Sequence, residues 1–416
     1  MDIPQNIFMA KNRVIDNALF LKTEQCVRCA SCAPRCPTYA LSLNEAESPR
    51  GRITMIAGLA TGQISATESL QQHLDNCLTC RACEQVCPAE VEVGDILDQG
   101  RALTHRRRWP TLAQLLFNKV LDQIIAHPKP LARLTTLARL KWVQRMAHTL
   151  GFGAWLPALS AAQPTMPLHA HYPSGSDSDK RVQLFVGCLG EAMQSHTLNA
   201  ALYLLSHLGF SVQIPKEQTC CGALHKHRGE IGRANRFASQ NLQAFSDPAV
   251  PVIYCATGCG VTLKEYQADS PDAFPMRLLE INEFIAQCEF DTLEFEPLHE
   301  KVLIHDPCSA RYPLKCAQFS HQLLNQIEGL EIFTLANNQH CCGAAGTYML
   351  SHPETAHTLV SSIVEEAVRL QVDYVVSSNI GCALHLGVHL PKSIRVCHPV
   401  ELLAQQLISR HKLGVE

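Results

Sequence analysis

The chain has 416 residues, enough for two or three domains, and its 46% hydrophobic and 18% charged content suits ordinary globular cores. With 35 basic against 38 acidic residues the formal net charge is −3, so no overall field would recruit nucleic acid. Twenty cysteines, no uninterrupted apolar run near the N-terminus and no stretch near the ~18 apolar residues of a membrane span point to a reducing, cytoplasmic setting in which thiolates serve metals.

Residues 1–100 read as a first unit. A short helix is expected to lead into Cys26-x2-Cys29-x2-Cys32-x3-Cys36-Pro37, and the same pattern returns as Cys77-x2-Cys80-x2-Cys83-x3-Cys87-Pro88. Three closely spaced thiolates grip three irons of one [4Fe–4S] cube; the fourth, before the proline, is too far along to close that cube and ligates the other one. The spacing therefore predicts one cluster on Cys26, Cys29, Cys32 and Cys87 and a second on Cys77, Cys80, Cys83 and Cys36. Zinc sites use paired CxxC units rather than this spacing, and a disulfide framework would need an oxidising compartment. Between the runs, SPRGRITMIAGLATG predicts a helix after Pro49. Arg50 and Arg52 there either pair with carboxylates in solvent or act on cluster potential or a partner.

Residues 101–160 are basic, lack cysteine and interleave Leu, Ile and Trp109 at helical spacing. They read as a helical connector, or as an amphipathic surface for anionic lipid or a partner protein. Residues 161–180, rich in Pro, Ser, Asp and His, read as an exposed linker.

The remaining chain repeats itself, with domains expected at 181–290 and 300–416. Cys188, Cys220–Cys221 and Cys259 recur as Cys308, Cys341–Cys342 and Cys382, at offsets of 120, 121 and 123 residues. Each copy runs from an apolar segment ending in Cys, through a helical segment (NAALYLLSHLG, with Gly209 as its stop), to CCG, another helix, a strand and a Gly-Cys turn. Strands alternating with helices predict a parallel sheet, with the cysteines at its C-terminal edge where α/β folds place ligands. The expected architecture is thus an α-helical two-cluster domain followed by two repeated α/β domains.

With these motifs in view, the chain resembles the iron–sulfur subunits of glycolate oxidase (glycolate dehydrogenase). The resemblance runs over nearly the whole length and rests on SPRGRI (48–53), CLTCRACEQVCP (77–88), LDQGR (97–101), CCGALHKH (220–227), CCGAAGTY (341–348) and NIGC (379–382). Lactate-utilisation proteins and the iron–sulfur subunits of anaerobic glycerol-3-phosphate dehydrogenase and heterodisulfide reductase are related. The resemblance implies an FAD-containing partner that oxidises glycolate, and sometimes D-lactate, to the 2-oxo acid. This chain would then carry the electrons one at a time to membrane quinone, peripherally on the inner face of the membrane. It has no GxGxxG after a strand and no P-loop of its own.

In the disulfide-reducing relatives each such domain supplies five cysteines, as Cys…CysCysGly…CysxxCys. Here Asn379 stands three before Cys382 and Ala256 three before Cys259, with Cys255 one place off. Four thiolates still suffice for a [4Fe–4S] cube or zinc. Cys308, Cys341, Cys342 and Cys382 are the candidates for a third cluster. Cys188, Cys220, Cys221 and Cys259 are open between a cluster, zinc and no metal. The departure argues against disulfide chemistry. His225, His227, His305 and His340 either pack as polar edge residues or hydrogen-bond to cluster sulfur or move protons. Cys288, Cys316 and Cys397 fall outside the repeat and read as buried thiols.

Overall fold

The computed structural model describes residues 16–107, 119, 168–174, 179–266, 274–288, 293–335 and 341–408. Most of the basic connector, including Trp109, lies outside the described residues, as does His340. The chain divides into two units: the described residues up to 111 together with Leu224–Arg233, and the rest.

The first unit is helical: α1 (Asn17–Glu24), α2 (Pro37–Ser42), α3 (Pro49–Ala60), α4 (Glu68–Asp75), α5 (Ala82–Gln85) and α6 (Val93–Arg107). Local signals set the helix starts. Asp16 accepts from the Leu19 N–H, Ser48 from Gly51 and Thr67 from Leu70, and Pro49 follows its cap with a φ already suited to a helix. Ile53, Ile56 and Leu59 put one face of α3 against Leu19, Leu70, Leu74, Ile96 and Leu97. Each such side chain stabilises the fold by about 1.5–3 kcal/mol. These helices hold the two cysteine loops at their ends.

The second unit contains two sheets with one plan. The first has the order β1 (His171–Tyr172), β3 (Ser211–Gln213), β2 (Arg181–Phe185), β4 (Val252–Tyr254), β5 (Leu278–Glu280); the second has β7 (Glu331–Thr334), β6 (Lys301–Ile304), β8 (Tyr374–Val376), β9 (Arg395–Cys397). All pairings are parallel except β1 on β3. The register repeats as well: Gln183 faces Val252 as Leu303 faces Val375, and Leu184 faces Ile253 as Ile304 faces Val376. The extra strand comes from the segment that composition marks as linker, where the Ile214 N–H donates to the Ala170 carbonyl.

The helices of the first copy are α7 (Gly187–Met193), α8 (Ser195–His207), α9 (Ala223–His227), α10 (Ile231–Ala244), α11 (Thr257–Lys264) and α12 (Ile281–Gln287). Those of the second are α13 (Cys308–Arg311), α14 (Ala317–Leu324), α15 (Tyr348–Ser351), α16 (Pro353–Leu370), α17 (Ile380–His389) and α18 (Pro399–Gln406). Gly209, with φ +83°, follows α8 as its sequence anticipates. The copies pack reciprocally: α8 lies on α18, the last helix of the other copy, and α14 lies on α12. Leu198, Leu204, Leu205, Ile285, Leu323, Leu402 and Leu403 join Val182, Ile253, Val302 and Val376 in one shared core. Among the described residues no helix is long and apolar enough to cross a membrane.

Candidate functional site

In the first unit the two cysteine loops fold alike. Each carries two non-glycine residues in left-handed conformation at matching positions: Arg28 and Ala30 (φ 58° and 68°), then Thr79 and Arg81 (φ 52° and 59°). Such residues cost about 1–2 kcal/mol each. The shape they impose turns successive N–H groups toward one side, a concavity suited to an anionic group. Cys26, Cys29, Cys32 and Cys87 line one small cavity, partly open to solvent, together with Cys83, Ile53 and Val91. Desolvation and the neighbouring Cys80, Cys77 and Cys36 push the Cys83 thiol well up. The fourth cysteine of each run thus lies with the first three of the other run. Packed thiols repel one another when ionised, and iron supplies the cation that lets all of them be thiolates. The donors fit two clusters.

The surroundings of the two sets differ. Arg52 is buried; its guanidinium donates to the Glu47 carbonyl (2.6 Å), Glu47 Oε2 (2.5 Å), Thr38 Oγ1 (3.1 Å) and the His73 carbonyl (2.8 Å), and reaches Cys36 Sγ at 3.9 Å. Glu47 also meets His73 (2.7 Å) and Asn76 (2.9 Å). Arg101 donates to the carbonyls of Leu74 (2.7 Å) and Cys77 (2.9 Å). Two buried cations therefore flank the Cys36/Cys77 side. Arg50, on the Cys32 side, is half-buried and pairs with Glu45 at 2.6 Å. The two arginines that look equivalent in the sequence differ in setting: Arg50 forms a half-exposed ion pair with Glu45, and Arg52 a buried one with Glu47 beside the Cys36 sulfur.

In the second unit the cysteines gather where the parallel sheets place ligands. The connections from β2 and β4 leave in opposite directions, as do those from β6 and β8, and the crevice between such strands is the binding position of open α/β sheets. Cys188 follows β2 and Cys259 follows β4; Cys308 follows β6 and Cys382 follows β8. The CCG segments close each quartet. Cys220 is in hydrogen-bond contact with Cys188 and Cys221, and Cys259 with Cys221. Cys341 touches Cys308 and Cys342, and Cys342 touches Cys382. These contacts, with burial, hold Cys220, Cys259 and Cys342 well above the ordinary thiol range, while its partners hold Cys341 well below it.

The CCG glycines serve both quartets. Gly222 and Gly343 have φ of +85° and +81°, and an added Cβ would come within 3.2 Å of Ala234 Cα and 2.8 Å of Ala356 Cα. The Gly222 N–H donates to Cys220 Sγ at 3.4 Å, and that of Gly343 donates to Cys341. The two sites abut where the copies meet. Thr257 N–H donates to the Ser378 carbonyl (3.1 Å), Thr257 and Ser309 hydroxyls are 2.8 Å apart, and the Gly258 N–H donates to Asn379 Oδ1 (3.0 Å). Asn379 Nδ2 in turn donates to Cys382 Sγ at 3.3 Å.

Residues 22–91 match the 4Fe-4S dicluster domain, and residues 182–264 and 302–387 each match the cysteine-rich (CCG) domain. The chain is 32% identical to the probable glycolate oxidase iron-sulfur subunit of Bacillus subtilis (strain 168) over 91% of its length and 93% of the relative's. This chain belongs to the glycolate oxidase iron–sulfur subunit family. It is also 30% identical to the glycolate oxidase iron-sulfur subunit of Escherichia coli (strain K12), over 92% of its length and 93% of that protein's. One subunit of the fumarate reductase (CoM/CoB) of Methanothermobacter marburgensis is 26% identical over 92% of this chain and 72% of the relative. The family match accords with two [4Fe–4S] clusters and with the helical and repeated α/β architecture expected from the sequence.

The histidines separate. His225 and His227 fold with the first unit, where His225 Nε2 stands 3.9 Å from Glu230 and His227 Nδ1 3.0 Å from Asp98. Burial opposes ionisation of Asp98, but His227, Lys226 and Arg101 hold its carboxyl at about 2. His305 is buried in the second copy, and one of its ring nitrogens lies within 4.8 Å of the Sγ atoms of Cys342 and Cys382. Burial lowers its pKa to about 4, so the ring is neutral. Cys316 and Cys397 are buried thiols; Cys288 is half-buried, its Sγ 3.2 Å from the Phe284 carbonyl.

Proposed function

We propose that this chain is the electron-carrying subunit of a flavin-dependent glycolate (2-hydroxy acid) dehydrogenase, taking electrons from an FAD-bearing partner and passing them to quinone or another membrane carrier. In this reading it works in the cytoplasm, on the inner face of the membrane. The observation that carries it is the arrangement of cysteines in two interlocked sets in the first unit and two quartets at sheet edges in the second. When bound, each [4Fe–4S] cluster accepts and releases one electron, which suits a chain that receives electron pairs from a flavin. Cys26, Cys29, Cys32 and Cys87 hold the first cluster, and Cys77, Cys80, Cys83 and Cys36 the second. Cys308, Cys341, Cys342 and Cys382 hold a third, and Cys188, Cys220, Cys221 and Cys259 a further cluster or zinc. Arg52 and Arg101, each countered by carboxylates, direct N–H groups at the Cys36 sulfur and the Cys77 carbonyl, and hydrogen bonds of this kind tune the potential of the second cluster.

The test is anaerobic. The chain purified with its flavin partner is mixed with glycolate and read by EPR. Reduced cluster signals are expected with glycolate, and none when the chain is alone. Clusters that dithionite reduces but glycolate plus partner does not would overturn the reading. The similarity to the fumarate reductase (CoM/CoB) protein favours a second reading, thiol–disulfide chemistry at a quartet. Asn379 and Ala256, in place of the cysteines of disulfide-reducing relatives, weigh against it.

A further inference from the structure

We propose that His305 is a nitrogen ligand to the cluster of the second quartet, so that the two repeated sites hold chemically different centres, one all-thiolate and one with an imidazole donor. The inference rests on the reading that the second quartet binds an iron–sulfur cluster.

Three observations carry it. His305 follows β6 directly and is 1% exposed, and one ring nitrogen shares a sphere of 4.8 Å with Cys342 Sγ and Cys382 Sγ. Its Nδ1 is 3.1 Å from the Ser377 hydroxyl. A hydrogen bond on one ring nitrogen fixes the ring and leaves the other, Nε2, as the ligating atom; this is how metal-bound histidines are usually oriented. Finally, the repeat supplies an internal control. By the shared strand register, His305 and Ser377 occupy the places of Phe185 and Tyr254, an adjacent pair in the first sheet. Donor and orienting hydroxyl in one copy are replaced together by two aromatic side chains in the other. A cube has one terminal position per iron, so the imidazole replaces one of the four thiolates, and this lowers the negative charge at the iron, as in clusters where histidine ligation raises the potential.

The experiment compares the wild type with His305→Phe, Ser377→Ala and Cys342→Ser in the full chain, by iron analysis, pulsed EPR for nitrogen coupling and redox titration. Phe is the residue that the same fold accommodates at 185. Cys342→Ser should remove roughly four irons per chain. His305→Phe should abolish a strong nitrogen coupling and lower the midpoint potential of that centre, while the two clusters of the first unit keep their signals. Ser377→Ala should keep the iron and alter the nitrogen coupling. If Cys342→Ser removes no iron, or removes zinc instead, the cluster reading itself falls. If it removes iron but His305→Phe and Ser377→Ala leave nitrogen coupling and potential unchanged, the cluster stands and the ligand assignment falls.

Discussion

The chain contains two duplications, and they are joined at opposite levels. In the first unit the fourth cysteines of the two runs cross over: Cys87 lines the cavity of Cys26, Cys29 and Cys32, while Cys36 neighbours Cys77, Cys80 and Cys83. In the second unit each copy keeps its own quartet, and what crosses over is the core, with α8 on α18 and α14 on α12. Small helices around a loop cannot bury much, so the first unit leans on its metal sites for cohesion. Sheets with covering helices can share an apolar core, and so leave their sites free to diverge. The difference between Phe185/Tyr254 and His305/Ser377 is divergence of this kind.

The sharpest way to break the comparison is to remove one cysteine from each duplication. Cys36→Ser should cost the cluster on Cys77, Cys80 and Cys83, roughly four irons, although Cys36 belongs to the first run. Cys188→Ser should empty its own quartet and leave the metal on Cys308, Cys341, Cys342 and Cys382 in place. Metal analysis with EPR decides. Loss of the Cys26 signals on changing Cys36, or of both quartets on changing Cys188, would reverse the contrast.

The shared core makes the next largest prediction. Leu402 on α18 is fully buried in a cluster drawn from both copies. Leu402→Ala should cost about 2–5 kcal/mol, the usual range for a buried leucine. Both copies should then unfold in one shifted denaturant transition. Two separated transitions would show that the copies are stabilised independently. A smaller contrast lies in the CCG turns. Gly343→Ala should destabilise more than Gly222→Ala. Both incur about 1–2 kcal/mol for the left-handed backbone, and the new Cβ sits 2.8 Å from Ala356 Cα but 3.2 Å from Ala234 Cα. Equal midpoint shifts in urea would mean that α10 and α16 yield equally.

What the sequence made legible was local or repeated. The Ser48–Pro49 helix start and the placing of a cysteine after a strand act through neighbours along the chain, and the structure has both where the patterns imply. Other features depend on contacts between distant residues. Arg50 and Arg52 differ in exposure, and only the packing of α3 decides which is buried. His171–Tyr172, too short to signal a strand along the chain, becomes one by pairing antiparallel with the edge of β3. Residues Leu224–Arg233 fold with the first unit although they follow a CCG motif of the second. The partnership of His305 with Ser377 spans 72 residues and is visible only once strand register is known. Aligning the two copies residue by residue at their strand ends was the signal that could have exposed it.

The same alignment yields the subtlest test. Glu280 and His398 occupy equivalent caps, opening α12 and α18, and approach each other at 3.9 Å. Glu280 accepts from the N–H groups of Asn282 and Glu283. His398 accepts from the Val400 N–H on Nδ1 and donates from Nε2 to the Cys255 carbonyl (3.1 Å), a pattern only the neutral ring can make. Burial accordingly lowers its pKa to about 3. The unfolded chain, with an ordinary histidine near 6.5, takes up this proton first, so stability falls as pH drops below ~6.5 and continues to fall toward the folded value. Asn also caps helices well but does not titrate. The wild type should therefore lose about 2 kcal/mol relative to His398→Asn between pH 7 and pH 5. Glu280 and Glu401 stand beside this position in both proteins, so their own titration is common to the two and the difference reports the histidine. A stability gap independent of pH would mean that the second copy's cap tolerates a charged imidazole, and that the two caps are electrostatically alike after all.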